Sequence, residues 1–113
     1  MKWQLLLLLL TLSTFNTAAH SDTDKPDTDR PLVVIKDFKF IPQEITIKRG
    51  QSITWENQEK RQYHNAWFEA LGEEEPDYIF PDETYDREFK KTGKFPYRCG
   101  PHPKMTGTVH VTE

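Results

Sequence analysis

The sequence predicts an all-β protein, a β-sandwich formed by a single domain. From residue 31 to the end of the chain, short apolar stretches alternate with polar residues and are interrupted by Gly, Pro or Asn. No run of helical period in this region is longer than two turns. Seven short candidate strands in about 83 residues are typical of a sandwich.

The first nineteen residues have the pattern of an export signal peptide. Lys2 precedes an apolar run from Leu5 to Leu12, and small residues lead to Ala19, after which we expect cleavage. The apolar run is far shorter than the roughly 20 residues that cross a bilayer. We therefore expect residues 1–19 to be removed, and the mature protein to be soluble, exported to the periplasm, and without a membrane span.

The segment that follows, residues 20–30, predicts a disordered acidic tether, because residues 21–30 include no apolar side chain. The folded domain should then cover residues 31–113. Loss of Lys2 with the signal would leave 14 basic side chains against 18 acidic ones. This balance leaves no basic stripe and argues against a nucleic-acid-binding protein.

The candidate strands share a period-two pattern of apolar residues. In order along the chain they cover residues 32–40, 44–48, 52–57, 64–69, 84–89, 94–98 and 107–111. Ile45 and Ile47 share one face of the second strand, and Ile53 and Trp55 share one face of the third, so both pairs should face one core.

Two connections have local signals. Gly50 lies between the second and third strands, where it can adopt the positive φ that a tight hairpin requires. The first strand changes phase between Ile35 and Phe38, which predicts a bulge or a strand that passes from one sheet to the other.

The segment from Ala70 to Glu83 fits no strand and is predicted to be a long surface connection. Its three consecutive glutamates, residues 73–75, form either a solvated acidic patch or a patch that docks a partner. We expect Trp55 and Trp67 to fill the core.

One short loop near the C-terminus carries sulfur and nitrogen donors. Cys99, the only cysteine, is followed at intervals of three by His102 and Met105. A thiolate, an imidazole and a thioether are soft ligands that suit copper. His64 begins a strand well upstream, and a sandwich can bring that strand end to the loop as a fourth ligand. Zinc is the rival metal, although structural zinc sites favour several cysteines.

The chain resembles a known family through "VVIKDFKF", "GQSITW", "YHNAWF", "TGKFPYRCGPHPKM" and "GTVHV". This pattern is similar to the type 1 blue copper proteins, or cupredoxins, and among them to the amicyanins; the likeness runs from Leu32 to Glu113. The resemblance implies a Greek-key sandwich and one Cu(I)/Cu(II) ion per chain, held by His64, Cys99, His102 and Met105.

The same resemblance implies roles for the neighbours of the ligands. Asn65 would tie the upstream ligand strand to the cysteine loop, and the ring edge of His102 would reach the surface within an apolar patch. Pro101 and Pro103 flank His102. Because proline fixes φ and has no N–H, these residues either withhold amide donors from the Cys99 sulfur or only shape a turn.

A copper ion with four protein ligands has no open position for a substrate, so the site predicts a carrier of single electrons, not an enzyme. The alternative function is a copper chaperone or buffer. A second alternative is a copper enzyme built on His20, the expected N-terminus; His110 is predicted to be simply exposed.

We expect transient redox protein partners, a dehydrogenase or a c-type cytochrome or both, and a monomeric carrier. The residues before His64 read "EKRQY", where the amicyanin pattern is largely apolar, and Lys104 follows the His102 segment. The sequence therefore predicts a partly basic docking face, with Tyr63 and Pro103 as its apolar part, and a partner with an acidic face. The resemblance to the amicyanins implies methylamine dehydrogenase as the electron donor. The departure from their pattern argues against this donor.

Overall fold

The structure, a computed structural model, describes residues 30–113 of the 113-residue chain. The predicted signal peptide and the predicted tether up to residue 29 lie outside the described residues. Among the described residues, no helix is long and apolar enough to cross a membrane.

In residues 30–113, seven β-strands form two packed sheets, which confirms the predicted all-β sandwich. The strands are β1 Leu32–Lys36, β2 Lys39–Ile41, β3 Glu44–Lys48, β4 Ser52–Asn57, β5 Thr84–Glu88, β6 Gly93–Arg98 and β7 Thr106–Thr112. One sheet has the order β2-β1-β4-β5, and the other has the order β3-β7-β6. The pairs β1 with β4 and β3 with β7 are parallel, and the remaining pairs are antiparallel.

The first predicted strand is divided into a hairpin. Asp37 and Phe38 have φ values of 53° and 57°, and the chain reverses between them so that Lys36 pairs with Lys39. Two consecutive left-handed residues form the tight turn that matches the twist of a β-hairpin. The prediction of a bulge or a sheet-crossing strand is therefore wrong, and the change of phase marks a turn that carries Phe38 at its tip.

The link through Gly50 joins the two sheets instead of two paired strands. Gly50 has the expected positive φ, 92°, and Gln51 N–H donates to Lys48 O at 3.0 Å. However, β3 pairs with β7 while β4 pairs with β1 and β5, so the predicted hairpin is wrong. The expectation of one shared core is confirmed, because Ile47 and Ile53 are buried in the same cluster from facing sheets.

The predicted strand over residues 64–69 does not form. Only isolated bridges occur there: His64 pairs with Ile79, and Trp67 pairs with Arg98. Because the backbone bonds first to one neighbour and then to another, no continuous ladder develops. His64 to Ala66 are all buried, unlike the alternating pattern of a half-exposed strand.

Aromatic rings fill the centre of the sandwich. Trp55 is fully buried, and its Nε1–H donates to the hydroxyl of Tyr97 at 3.2 Å. Phe68 and Tyr97 pack with ring centroids 5.1 Å apart. Burial raises the pKa of the Tyr97 hydroxyl, which favours its neutral form. These residues, with Phe89, make up what we call the aromatic core.

The prediction that Trp67 fills the core is wrong. It is only half-buried, the Arg98 guanidinium lies 4.5 Å from its ring centroid, and its Nε1–H donates to Glu73 O at 2.8 Å. His110 is also half-buried rather than simply exposed, with Nε2 3.2 Å from Glu44 Oε1.

The connection between residues 70 and 83 is tied to the domain at several points. A single 3₁₀ turn, Glu69–Leu71, opens it, and Ile79 is buried. Glu73 makes a bidentate ion pair with Arg87, in which both N–O distances are 2.7 Å. The glutamates of this segment are therefore not uniformly solvated, and part of the predicted acidic patch is neutralised.

Candidate metal centre

The loop between β6 and β7 is closed by its own backbone. Cys99 N–H donates to Met105 O at 2.9 Å, and Met105 N–H donates to His102 O at 2.9 Å. Pro101 and Pro103 leave His102 as the only residue of positions 101–103 with a backbone N–H. The loop is therefore short and restrained, and it carries three of the predicted ligand residues, Cys99, His102 and Met105.

His64 reaches this loop from a distant part of the chain. Its backbone exchanges hydrogen bonds with Ile79, at 3.2 Å from His64 N–H to Ile79 O and at 2.7 Å in the reverse direction. Asn57 supports the same corner, because its side-chain amide donates to Gln62 O and to Ile79 O, each at 2.8 Å. These contacts fix the segment before His64 without a regular strand.

His64, Cys99 and His102 converge, with one donor atom of each within 4.8 Å of the others. The Cys99 Sγ lies 3.6 Å from His64 Nδ1 and 3.5 Å from His102 Nδ1. His64 and Cys99 are fully buried, and His102 is half-buried. The geometry thus brings together three of the four predicted ligand residues from two segments 35 positions apart.

Met105, the fourth predicted ligand residue, is buried at the end of the loop with 5% of its surface exposed. It borders a surface groove together with Phe38 and His102.

Asn65 connects the two ligand segments, as the resemblance implied. Its Oδ1 accepts the Gly100 N–H at 2.7 Å, and its Nδ2 donates to Glu75 Oε1 at 3.0 Å and to Pro76 O at 3.2 Å. Asn65 is fully buried, so these bonds satisfy an amide that would otherwise be costly to bury. One side chain therefore holds the cysteine loop against the segment that follows His64.

A carboxylate faces the outer nitrogen of His64. Glu59 Oε1 lies 3.4 Å from His64 Nε2 and accepts the Phe38 N–H at 2.8 Å. His64 Nε2 is the one buried side-chain nitrogen or oxygen without a hydrogen bond in the described residues. The Glu59 carboxylate lies at ion-pair distance from His64 Nε2 without forming a hydrogen bond with it. It favours a proton on Nε2 and leaves Nδ1 free to bind a metal.

The electrostatics of His64 follow from burial. Burial lowers the pKa of His64, the nearby His102 lowers it further, and Glu59 opposes both effects. Copper-free His64 is thus held toward its neutral form, the form that binds a metal.

Phe38 covers both imidazoles from the tip of the β1–β2 hairpin. Its ring meets His64 edge-on at 5.5 Å between centroids and His102 at 4.9 Å. Nearly half of Phe38 is exposed, 47%. The ring therefore forms part of the surface next to His102 and shields the imidazoles from solvent.

Cys99 is buried, and burial raises the pKa of its thiol. The backbone N–H groups of Asn65 and His102 lower the pKa, Glu75 raises it, and Arg98 lowers it. Pro101 and Pro103 therefore do not remove every amide donor from the sulfur. Without a metal the thiol form is favoured, and a bound cation would favour the thiolate.

Sequence reasoning missed four residues that surround the ligands: Phe38, Glu59, Glu75 and Arg98. Arg98 could have been noticed, because it directly precedes Cys99. Glu75 had no distinguishing signal within a run of three glutamates. Phe38 and Glu59 reach the site only through the hairpin and the turn after β4.

The donor set fits copper. A sulfur and a nitrogen that share one ion lie about 3.6 Å apart when the metal bonds are about 2.0–2.3 Å, and the distances of 3.5 and 3.6 Å agree. One thiolate and two imidazoles with a nearby thioether are the ligands of electron-transfer copper sites, whereas structural zinc sites favour several cysteines.

Comparisons with known proteins agree with this geometry. A family profile described as Cupredoxin-like domain matches residues 4–111. The amicyanin of Paracoccus versutus is 31% identical over 86 residues, which are 74% of this chain and 65% of that protein. The chain therefore spans slightly less than two thirds of this relative. Amicyanin-alpha of Methylorubrum extorquens is 37% identical over 83 residues, 70% of this chain and 69% of that protein.

Solved structures give the same result. The crystal structure of amicyanin from Paracoccus versutus superposes with a TM-score of 0.67 at 32% identity and covers 80% of this chain and 87% of that one. A reduced Cu(I) form of an amicyanin mutant at pH 4 has a TM-score of 0.69 at 30% identity, covering 80% and 88%. With the donor set described above, these matches make a single copper ion the cofactor of this site, and the chain belongs to the cupredoxin-like family.

Proposed function

We propose that this protein is a small exported carrier of single electrons, whose copper is held by His64 Nδ1, Cys99 Sγ, His102 Nδ1 and the Met105 sulfur. The observation that carries the proposal is the convergence of a buried thiol and two imidazole nitrogens within 4.8 Å of one another. Copper, when bound, supplies one-electron exchange between its two oxidation states. The chain contributes the ligands and their fixed positions.

The surroundings of the ligands favour retention of the ion and electron exchange over delivery. Cys99 and His64 are fully buried, and Asn65 bonds the two ligand segments together. Such ligands move little when the charge of the site changes, which keeps reorganisation small. A copper chaperone or buffer would instead need ligands that exchange easily.

The first test is spectroscopic. The protein loaded with oxidised copper should have intense thiolate-to-copper absorption in the visible range and resist chelators. Cys99→Ala should abolish the absorption while far-UV circular dichroism still reports a β domain. His110→Ala, a histidine outside the cluster, is the matched control and should keep the color. Rapid loss of copper without intense color would favour the chaperone, and tight binding of zinc in preference to copper would contradict the carrier.

The fourth ligand has its own test. Met105→Leu keeps an apolar side chain of similar volume but removes the sulfur. If Met105 binds the ion, the paramagnetic resonance spectrum and the reduction potential should both change while the color persists. An unchanged spectrum and potential would remove Met105 from the ligand set.

The docking surface we propose is the groove beside His102. It has a volume of about 480 Å³ and is lined by Phe38, Pro101, His102, Pro103, Lys104 and Met105. Lys39 and Lys104 line an adjoining groove. An apolar patch flanked by lysines fits a redox protein with an acidic face, a dehydrogenase or a c-type cytochrome of the periplasm, that binds transiently.

Charge reversal tests this docking. Lys104→Glu should slow electron exchange with an acidic c-type cytochrome and weaken the dependence of the on-rate on salt, because Lys39 then remains beside a negative charge. Lys91→Glu, a matched reversal at a residue that does not line either groove, should change the rate much less. Equal effects of the two variants, or a rate indifferent to ionic strength, would contradict the proposed surface.

A further inference from the structure

We propose that Arg98 and Glu75 are positioning residues of opposite charge that set the reduction potential of the site from two sides of the Cys99 loop. The inference rests on the proposed function, because it concerns copper held at this loop. It adds that the potential depends on two particular charges outside the ligand set.

Arg98 is fixed against the carbonyl groups of the loop. Its Nη1 donates to Cys99 O at 3.2 Å and to Gly100 O at 3.1 Å. Its Nε donates to the Glu69 carboxylate in an ion pair whose acidic partner is half-exposed, and its guanidinium lies 4.5 Å from the centroid of the Trp67 ring. Only 25% of the Arg98 side chain is exposed. A planar group with this many partners has little freedom, so its charge stays at the loop.

Glu75 lies against the same loop from another side. Its Oε1 accepts the Asn65 amide at 3.0 Å, and Asn65 in turn accepts the Gly100 N–H at 2.7 Å. A Cβ atom added to Gly100 would lie only 1.7 Å from Glu75 Oε1. Gly100 is therefore the residue that lets a carboxylate approach the backbone next to Cys99.

The neighbouring glutamates provide a contrast. Glu73 is paired with Arg87 at two N–O distances of 2.7 Å. Within residues 30–113, Glu74 is exposed like Glu75, but it has no ion pair or hydrogen bond. Of the three consecutive glutamates, only Glu75 faces the cysteine loop, although the sequence gives all three the same appearance.

The two charges should act on the potential with opposite signs. Reduction adds one electron from the donor and lowers the positive charge of the site by one unit, without a proton or a new bond. A carboxylate nearby stabilises the oxidised form, whereas a guanidinium stabilises the reduced form, and screening near a protein surface is weaker than in water.

The experiment compares reduced-to-oxidised ratios at one fixed electrode potential for the copper-loaded protein. Glu75→Gln keeps an oxygen that can accept the Asn65 amide but removes the charge, and it should raise the ratio at least threefold. Arg98→Gln should lower the ratio at least threefold, and Arg98→Lys should restore most of it. Glu74→Gln, an equal change of net charge one residue away, should leave the ratio nearly unchanged.

A second measurement on the copper-free protein separates charge from structure. Hydrogen exchange of the Gly100 amide should stay within threefold of wild type in Glu75→Gln, because Asn65 still accepts this N–H. An exchange rate raised tenfold or more in this variant would overturn the inference, since its effect would then be structural.

The remaining outcomes are also decisive. The inference is overturned if Glu75→Gln changes the ratio no more than Glu74→Gln, or if Glu75→Gln and Arg98→Gln change it in the same direction. In a protein with normal color these results would leave electron carriage intact. A wild-type protein that forms no colored copper complex would overturn the proposed function, and the inference with it.

Discussion

The aromatic core is stabilised in a different way from the ligand end, the region formed by the predicted copper ligands and Asn65. Trp55 and Phe68 are fully buried and owe their positions to the summed packing of many apolar contacts. At the ligand end, His64 and Asn65 are equally buried but polar, and each is held by a few specific partners. Loss of packing should therefore reduce stability in proportion to the volume removed, whereas loss of one polar partner should disturb the site itself.

The largest expected effect tests the core alone. Trp55→Ala should lower the free energy of unfolding of the copper-free protein by about 3–5 kcal/mol, because it leaves a large cavity. The variant also leaves the Tyr97 hydroxyl without the Trp55 donor. Urea unfolding followed by circular dichroism measures this loss, and Trp55→Phe should lose less. A folded Trp55→Ala protein without color would break the separation of the two regions.

The second effect tests the ligand end. Asn65→Ala removes the acceptor of the Gly100 N–H and should cost about 1–3 kcal/mol of unfolding free energy. Copper should also dissociate faster from this variant in the presence of a chelator. Thr54→Ala, which loses a surface hydrogen bond to Asp86, is the control and should keep the wild-type dissociation rate. Equal dissociation rates in both variants would mean that Asn65 does not support the site.

The third effect is smaller and depends on pH. Burial lowers the pKa of His64 in the folded, copper-free protein below its value in the unfolded chain. The unfolded state then binds more protons as the pH falls below about 6.5, so the folded state should lose stability from this point down to the folded pKa of His64. Unfolding curves of copper-free wild type and His64→Gln should show a weaker pH dependence in the variant. If the unfolding free energies of wild type and His64→Gln depend on pH in the same way, the pH dependence does not come from His64.

The smallest effect lies outside both regions. Arg49 and Glu113 form an ion pair at 3.0 Å, but 55% and 73% of their side chains are exposed. Arg49→Gln should change the unfolding free energy by less than about 1 kcal/mol, because solvent and salt screen such pairs. A larger loss of unfolding free energy, or any change in color, would show that this surface ion pair influences the core or the metal centre.

The sequence was most informative where a pattern repeats or where donors lie close together in the chain. Alternation in β3 and β4 predicted a shared core, and the spacing of Cys99, His102 and Met105 predicted one ligand loop. The secondary structure predicted from the sequence was wrong at residues 64–69, where tertiary contacts on two sides replace a β-ladder. It was also wrong at Asp37 and Phe38, where the pattern of a hairpin turn resembled that of a bulge. The expected number of strands was correct although these two elements were not.

By itself, the amino-acid sequence determined the β architecture and the donor chemistry, because both depend on residue type and short-range periodicity. Only the tertiary structure decided which isolated side chains meet the loop: Phe38 over the imidazoles, Glu59 at His64, and Glu75 and Arg98 at the cysteine segment. The physical reason is the range of the interactions. The alternation of buried and exposed side chains follows from the order of residues within one strand. A contact between segments tens of residues apart depends on how the sheets stack and how the connections cross them.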